Sequence, residues 1–182
     1  MRKFFASLLE LIEVAFIALA TVFLIRGFLF QPFLVSGESM VPNFQNGDYL
    51  LIDEMIYHFR DPGRGEVVVF RYPKDNTTYF IKRIIGLPGE RVQVLNGGVK
   101  IFNQAHPDGF VLEEEYLQEE ISTSGNADVT LKSDQYFVMG DNRSYSFDSR
   151  NWGPVVDGEI VGLARLRLWP LNEIQAFAAP QY

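Results

Sequence analysis

The chain has 182 residues, 47% of them apolar, with 16 Phe and a net charge of −7. That size suits one domain with ample material for a core, and the acidic balance argues against a nucleic-acid partner, since phosphate binding needs clustered Lys and Arg. With no cysteine in the chain, disulfides, thiolate nucleophiles and thiolate metal sites are excluded. The two histidines, His58 and His106, stand far apart beside turn sequences and read as surface residues rather than ligands or bases.

Residues 1–30 open with Arg2 and Lys3 and are then almost wholly apolar. The uninterrupted run Val14 to Ile25 is 12 residues, too short for a comfortable span. Extending it back to Phe4 reaches the roughly 20 residues that a bilayer requires, at the cost of including Glu10 and Glu13 near the headgroups. A cleaved signal peptide would begin in the same way. Here no small-x-small site ends the run, which continues through Gly27 to Phe33, so an uncleaved transmembrane anchor is expected. Arg2 and Lys3 against Arg26 place the N-terminus in the cytoplasm and the remaining chain outside.

From residue 31 onward the pattern is β. Strands are expected at Tyr49–Ile52, Glu66–Tyr72, Thr77–Ile85, Gln135–Met139 and Glu159–Trp169, separated by turn sequences. Arg91–Leu95 and Val99–Phe102 flank Asn96-Gly97-Gly98, a strong hairpin signal. Short strands at this spacing predict a mainly β, antiparallel barrel-like or sandwich domain over residues 31–182. Residues 103–130 differ, carrying Glu113, Glu114, Glu115, Glu119 and Glu120. They read as a solvated peripheral insertion or flap, and Ala176–Tyr182 as a frayed end.

Three stretches carry chemistry. Ser39 lies in Val35-Ser36-Gly37-Glu38-Ser39-Met40-Val41-Pro42, just past the apolar segment. Alone, that stretch is better read as a turn joining a helix to a domain. A serine hydroxyl needs a base beside it, and with histidine so sparse the natural candidate is a lysine. Useful base strength requires a lysine pKa of roughly 7–8 rather than ~10.4, at a cost of about 4 kcal/mol supplied by desolvation. Lys82 fits, because Phe80, Lys82 and Ile84 share one face of an expected strand. Arg83 does not, because a guanidinium stays charged. The third stretch, Gly140 to Arg150, is dense in polar groups: Ser146 could orient the amine, and Asp148 and Arg150, two apart, could pair and fix the loop. A solvated polar loop is the plain alternative, and the acidic spacing does not match an EF-hand.

Taken together, Ser39-Met40-Val41-Pro42, Lys82-Arg83-Ile84-Ile85-Gly86-Leu87-Pro88-Gly89-Glu90 and Gly140-Asp141-Asn142-Arg143 through Arg150 resemble the ordered signature boxes of bacterial type I signal peptidases. The resemblance covers nearly the whole chain, with Gly47-Asp48 and Arg64–Phe70 similar to intervening segments. It implies a membrane-anchored Ser-Lys endopeptidase that removes signal peptides from exported preproteins after small-x-small motifs, with no cofactor and no metal. On that reading Ser39 is the nucleophile and Lys82 the general base. Ser146, Asp148 and Arg150 are supporting residues, and the Ser39 backbone N–H contributes to the oxyanion hole. Many members carry a serine two positions before the nucleophile, where this chain has Gly37, which leaves the second oxyanion donor in doubt. By position, Val35, Met40, Phe44, Phe80 and Ile81 are expected to line the substrate pocket.

The partners so implied are signal peptides, the lipid bilayer of a bacterial plasma membrane and a nearby translocon. The rival readings are a specialised or organellar Ser-Lys processing peptidase of the same fold, and a non-catalytic membrane-tethered domain that binds extended peptides by strand addition.

Overall fold

The computed structural model describes residues 2–28, 30–118 and 121–180. Arg2–Phe28 form α1, a helix of 27 residues. Side chains are described for residues 7 and 9–22 of it, and nearly all are exposed, the apolar Leu11, Phe16, Leu19 and Val22 included. Among the described residues no helix is long and apolar enough to cross a membrane, so the transmembrane anchor over residues 1–30 stays an expectation.

The rest is β, as the alternating apolar pattern predicts. The strands are β1 (Phe30–Leu34), β2 (Tyr49–Asp53), β3 (Val67–Tyr72), β4 (Asp75–Gly86), β5 (Arg91–Leu95), β6 (Gly98–Phe102), β7 (Phe110–Val111), β8 (Ala127–Thr130) and β9 (Gln135–Met139). A short helix, α2 (Ser149–Trp152), precedes β10 (Val155–Val156), β11 (Ile160–Trp169) and β12 (Gln175–Ala176). They form two antiparallel sheets. The larger runs β1-β2-β11-β3-β4-β9-β10 with β12 on β11; the smaller runs β7-β6-β5-β8. Among the described residues neither closes on itself, so the barrel-like expectation is corrected to open sheets: the large one ends at β1 on one side and β10 on the other.

Alternation along β3 shows why the large sheet has two packed faces. Val67 and Val69 join Leu50, Ile52, Val35, Met40 and Phe44 on one side, while Val68 and Phe70 join Ile84, Val138 and Tyr136 on the other. The small sheet contributes Val92, Val94, Val99 and Ile101 to a third cluster with Ile85, Phe137 and Met139. The β5–β6 hairpin turns on Asn96 (φ 52°) and Gly97 (φ 83°), the two positive φ values that a type I′ turn demands.

Two peripheral expectations are revised. The C-terminal residues do not all fray: Gln175 and Ala176 pair with Arg167 and Leu166, and the Phe177 ring sits 4.4 Å from that of fully buried Phe44. The acidic insertion also reaches inward, with Glu113 and Glu115 exposed but Leu112 buried and Glu114 ion-paired to Arg143.

The sheets meet closely at Gly86, where a methyl group would collide with the Val92 and Leu131 side chains. Overpacking costs about 1–3 kcal/mol, more than the roughly 0.5–1 kcal/mol that alanine gains over glycine in a strand. Gly86→Ala is therefore expected to lower stability by about 1–2 kcal/mol, read from the midpoint of a denaturant titration.

Candidate active site

Ser39 lies on a loop that the core grips from both ends. Val35, Met40 and Phe44 are buried, while Val41 N–H donates to Glu38 O and Phe44 N–H to Met40 O. Val35 N–H and Gly47 N–H exchange bonds with Asp48 O and Val35 O, prolonging the β1–β2 ladder up to the serine. Gly37 has φ +96°, a conformation cheap only for glycine, and its N–H donates to Asn46 Oδ1 at 2.9 Å. The Ser39 N–H donates to no acceptor among the described residues.

The lysine comes from β4. Phe80 and Ile84 pack in one cluster, and Lys82 between them is only 3% exposed, with Nζ 5.4 Å from the centre of the Phe80 ring. The amine lies 2.7 Å from Ser39 Oγ and donates to the Ile81 carbonyl at 2.8 Å. Burial lowers its pKa from 10.5 to about 8, opposed by the charges of Asp148 and Asp141.

The third stretch folds over this pair. Asp148, fully buried, accepts from Arg150 Nε and Nη2 at 2.8 and 2.7 Å and from Gly140 N–H at 3.0 Å. Burial alone would raise the carboxyl; the bond to Arg150 and its charge, with the Gly140 amide, outweigh it and hold the group below its ordinary value. Asn142 N–H donates to Ser39 O and its Nδ2 to Glu38 O, both at 3.0 Å. Asp141 takes two bonds from Arg83, at 2.8 and 2.6 Å. Gly140 permits this approach, since a methyl there would strike the Ser39 carbonyl and Ser146 Oγ. Ser39, Lys82 and a cleft of about 310 Å³ adjoin one another, the cleft walled by Phe33, Val35, Leu50, Val69, Phe80 and Ile81. Among the described residues no carboxylate or histidine cluster is placed to hold a metal ion.

The family model described as signal peptidase, peptidase S26, matches residues 8–169. The chain belongs to the signal peptidase family. Among curated relatives, signal peptidase I P of Bacillus subtilis subsp. natto is 36% identical over 93% of this chain and 94% of its own. Signal peptidase I of Leptolyngbya laminosa is 37% identical over 86% of this chain and 77% of its own. A probable signal peptidase I-1 of Synechocystis is 38% identical over 90% and 83%. A crystal structure of a signal peptidase I from Enterococcus faecalis matches 57% of this chain and 97% of its own, at 28% identity and a TM-score of 0.47. Like other members of the signal peptidase family, the chain is a serine endopeptidase, a hydrolase.

Not every residue picked from the sequence of this signal peptidase family member stands where expected. Val35, Phe80 and Ile81 line the cleft, but Met40 and Phe44 do not; both are core anchors, 1% exposed, that hold the serine loop from beneath. Phe33, Leu34, Tyr79, Tyr145 and Phe147 line it unforeseen. The amine's partners are the Ser39 hydroxyl and the Ile81 carbonyl, and Ser146 is not among them. His58 and His106 are exposed and away from the cleft.

A lysine held at about 8 instead of 10.5 weakens the fold by roughly 3 kcal/mol wherever the unfolded chain would keep its proton. The folded pKa is the lower one, so this cost is fully present below about 8 and fades as the pH climbs toward 10.5. Lys82→Met is expected to melt above wild type at pH 7, with the gap narrowing between pH 8 and 10. Melting curves recorded across that range check it.

Proposed function

We propose that this chain is a membrane-anchored signal peptidase that cuts exported preproteins after small-x-small motifs, with Ser39 as nucleophile and Lys82 as general base. The observation that carries the reading is the 2.7 Å approach of a buried amine to a serine hydroxyl, the pairing that nucleophilic serine chemistry needs.

The sheet edges indicate how a substrate would lie. The outer edge of β1 has no partner strand among the described residues. Residues 79–82 of β4 pair with β3 on one side, whereas pairing with β9 starts only at Arg83. The cleft separates these two open edges, so an extended peptide could enter by main-chain pairing with either edge. Its small side chains would drop into the shallow apolar recess beside Ser39.

Lys82 Nζ then takes the Ser39 hydroxyl proton as Oγ attacks the scissile carbonyl. The oxyanion takes a hydrogen bond from the Ser39 N–H, which no protein acceptor occupies. Gly37 offers no hydroxyl, and its N–H is already given to Asn46. The Lys82 ammonium returns its proton to the leaving amine, giving an acyl-enzyme. Water, deprotonated by the same lysine, releases the signal peptide and regenerates Ser39. Ser146 Oγ lies close over Gly140 and adds to the hold on the Asp148 carboxylate; on this reading it steadies the amine once the serine hydroxyl is acylated. Asp148 and Arg150 keep that loop in place. Anchoring falls to α1, whose apolar side chains are exposed among the described residues, with the N-terminus in the cytoplasm and the β domain outside.

Incubation with a preprotein bearing Ala-x-Ala before its mature start tests the reading. Wild type is expected to cut after the second alanine and Ser39→Ala to lose at least ~10³-fold in rate; cutting by Ser39→Ala within about tenfold of wild type would refute the assignment. Because the base must be neutral, kcat/KM should climb with pH through about 8, the value set by Lys82 burial. Lys82→Arg, which cannot lose its proton, should be inactive throughout. A profile flat from pH 6 to 10 would sink the lysine's role.

A further inference from the structure

We propose that Glu114 and Tyr116, on the acidic insertion, are positioning residues that lock the three chemistry-bearing segments against one another. The proposal rests on the Ser39–Lys82 reading and gives the insertion a task in that chemistry.

Tyr116 touches all three segments. Its ring lies under the Arg83 guanidinium, 3.9 Å from Cζ to ring centre, and Arg83 is the neighbour of Lys82 on β4. Its carbonyl accepts from Asn43 Nδ2 at 2.9 Å, four residues beyond Ser39, and the same nitrogen donates to Asp141 Oδ2 at 2.8 Å. Its hydroxyl accepts from Arg143 Nη2 at 3.2 Å and donates to Glu114 Oε1 at 2.5 Å. One residue of the insertion thus spans the nucleophile loop, the base strand and the loop after β9.

Glu114 supplies the charge that makes this arrangement tenable. Arg143 is 1% exposed, and a buried guanidinium needs every donor satisfied and its charge compensated. Glu114 takes both terminal nitrogens, Nη1 at 2.7 Å; Nε goes to Gly140 O at 3.1 Å and Nη1 also to Thr123 Oγ1 at 2.8 Å. Arg143 is next to Asn142, whose N–H and side chain hold the Ser39 and Glu38 carbonyls. Without Glu114, a desolvated cation would stand uncompensated beside the residue that fixes the serine backbone. The segment is anchored again further on, where Ser124 O accepts from Arg150 Nη1 at 2.7 Å. Neither Glu114 nor Tyr116 lines the cleft beside Ser39, so their contribution falls on the alignment of the reacting groups and not on peptide contact. Misplacement of reacting atoms by about 1 Å can cost ~10²-fold, and partial loosening of a clamp is expected to cost about tenfold.

The test compares wild type, Tyr116→Leu, Tyr116→Phe and Glu114→Gln on an Ala-x-Ala peptide, well below each melting temperature. Tyr116→Leu should lose about tenfold in kcat with KM within about twofold, and Tyr116→Phe, which keeps the ring over which Arg83 lies, should recover most of it. Loss confined to KM, or a folded Tyr116→Leu with wild-type kcat, would overturn the proposal. If Tyr116→Leu fails to fold, the near-isosteric Glu114→Gln decides: a drop of about tenfold in kcat supports the clamp and a wild-type value refutes it. Titration of Lys82 by NMR gives a readout independent of cleavage. A loosened clamp admits water, so the midpoint should rise from about 8 toward 10.5 in Tyr116→Leu, or in Glu114→Gln if that variant decides; an unmoved midpoint would count against it. Should wild type leave the peptide uncut while the midpoint still moves, the peptidase assignment fails and the clamp stands.

Discussion

A primary amine kept out of water, yet within reach of a hydroxyl, is the constraint around which this fold is built. Desolvation alone moves the Lys82 proton off, and two buried carboxylates, Asp141 and Asp148, pull it back. A bare carboxylate at ~8 Å and an effective dielectric of ~20 is worth ~2 kcal/mol, more than one pH unit of lysine basicity. Two of them left unneutralised would restore much of what burial removes. Each is instead held by its own arginine, Arg83 on Asp141 and Arg150 on Asp148. Those ion pairs fix the loops and offset negative charge that would otherwise act on the amine.

The same pairs explain why three distant segments arrive at one place. Arg83 follows Lys82 on β4, and its partner Asp141 precedes Asn142, the residue that holds the Ser39 carbonyl. The lysine strand and the serine loop are therefore joined through a single carboxylate and its neighbour. Buried pairs of this kind are costly to break on one side, so the alignment comes with a penalty for losing it.

Much of this was legible from local chemistry. Val67–Phe70 alternate as a two-sided strand must and Asn96-Gly97 forces a tight hairpin, whereas Lys82 between Phe80 and Ile84 reads by itself as a strand lysine reaching solvent and gains its meaning from the serine stretch. What stayed hidden depends on tertiary placement. Met40 and Phe44 look no different in sequence from Phe33 and Tyr79, yet the first two point into the core and the others toward the cleft. The acceptor that steadies the lysine is a main-chain carbonyl, that of Ile81, and backbone atoms leave no residue-type signature. Of the run Glu113-Glu114-Glu115, only the middle one turns inward, because its ion-pair partner lies 29 positions away. Phe177 sits in a run of small residues that reads as a loose end until Phe44 is seen beneath it.

The unclosed large sheet has a further consequence. Main-chain ladders are indifferent to sequence, so two strand edges unpaired among the described residues would welcome any unfolded polypeptide passing by. On the proposed reading selectivity is exercised after capture, by whether a side chain fits the recess at Ser39, and most encounters end in release. The severed leader would hold the same ladder bonds as the uncut chain. Its departure requires peeling a strand from an edge, a natural point for turnover to slow and for a stable β-strand mimic to jam the enzyme.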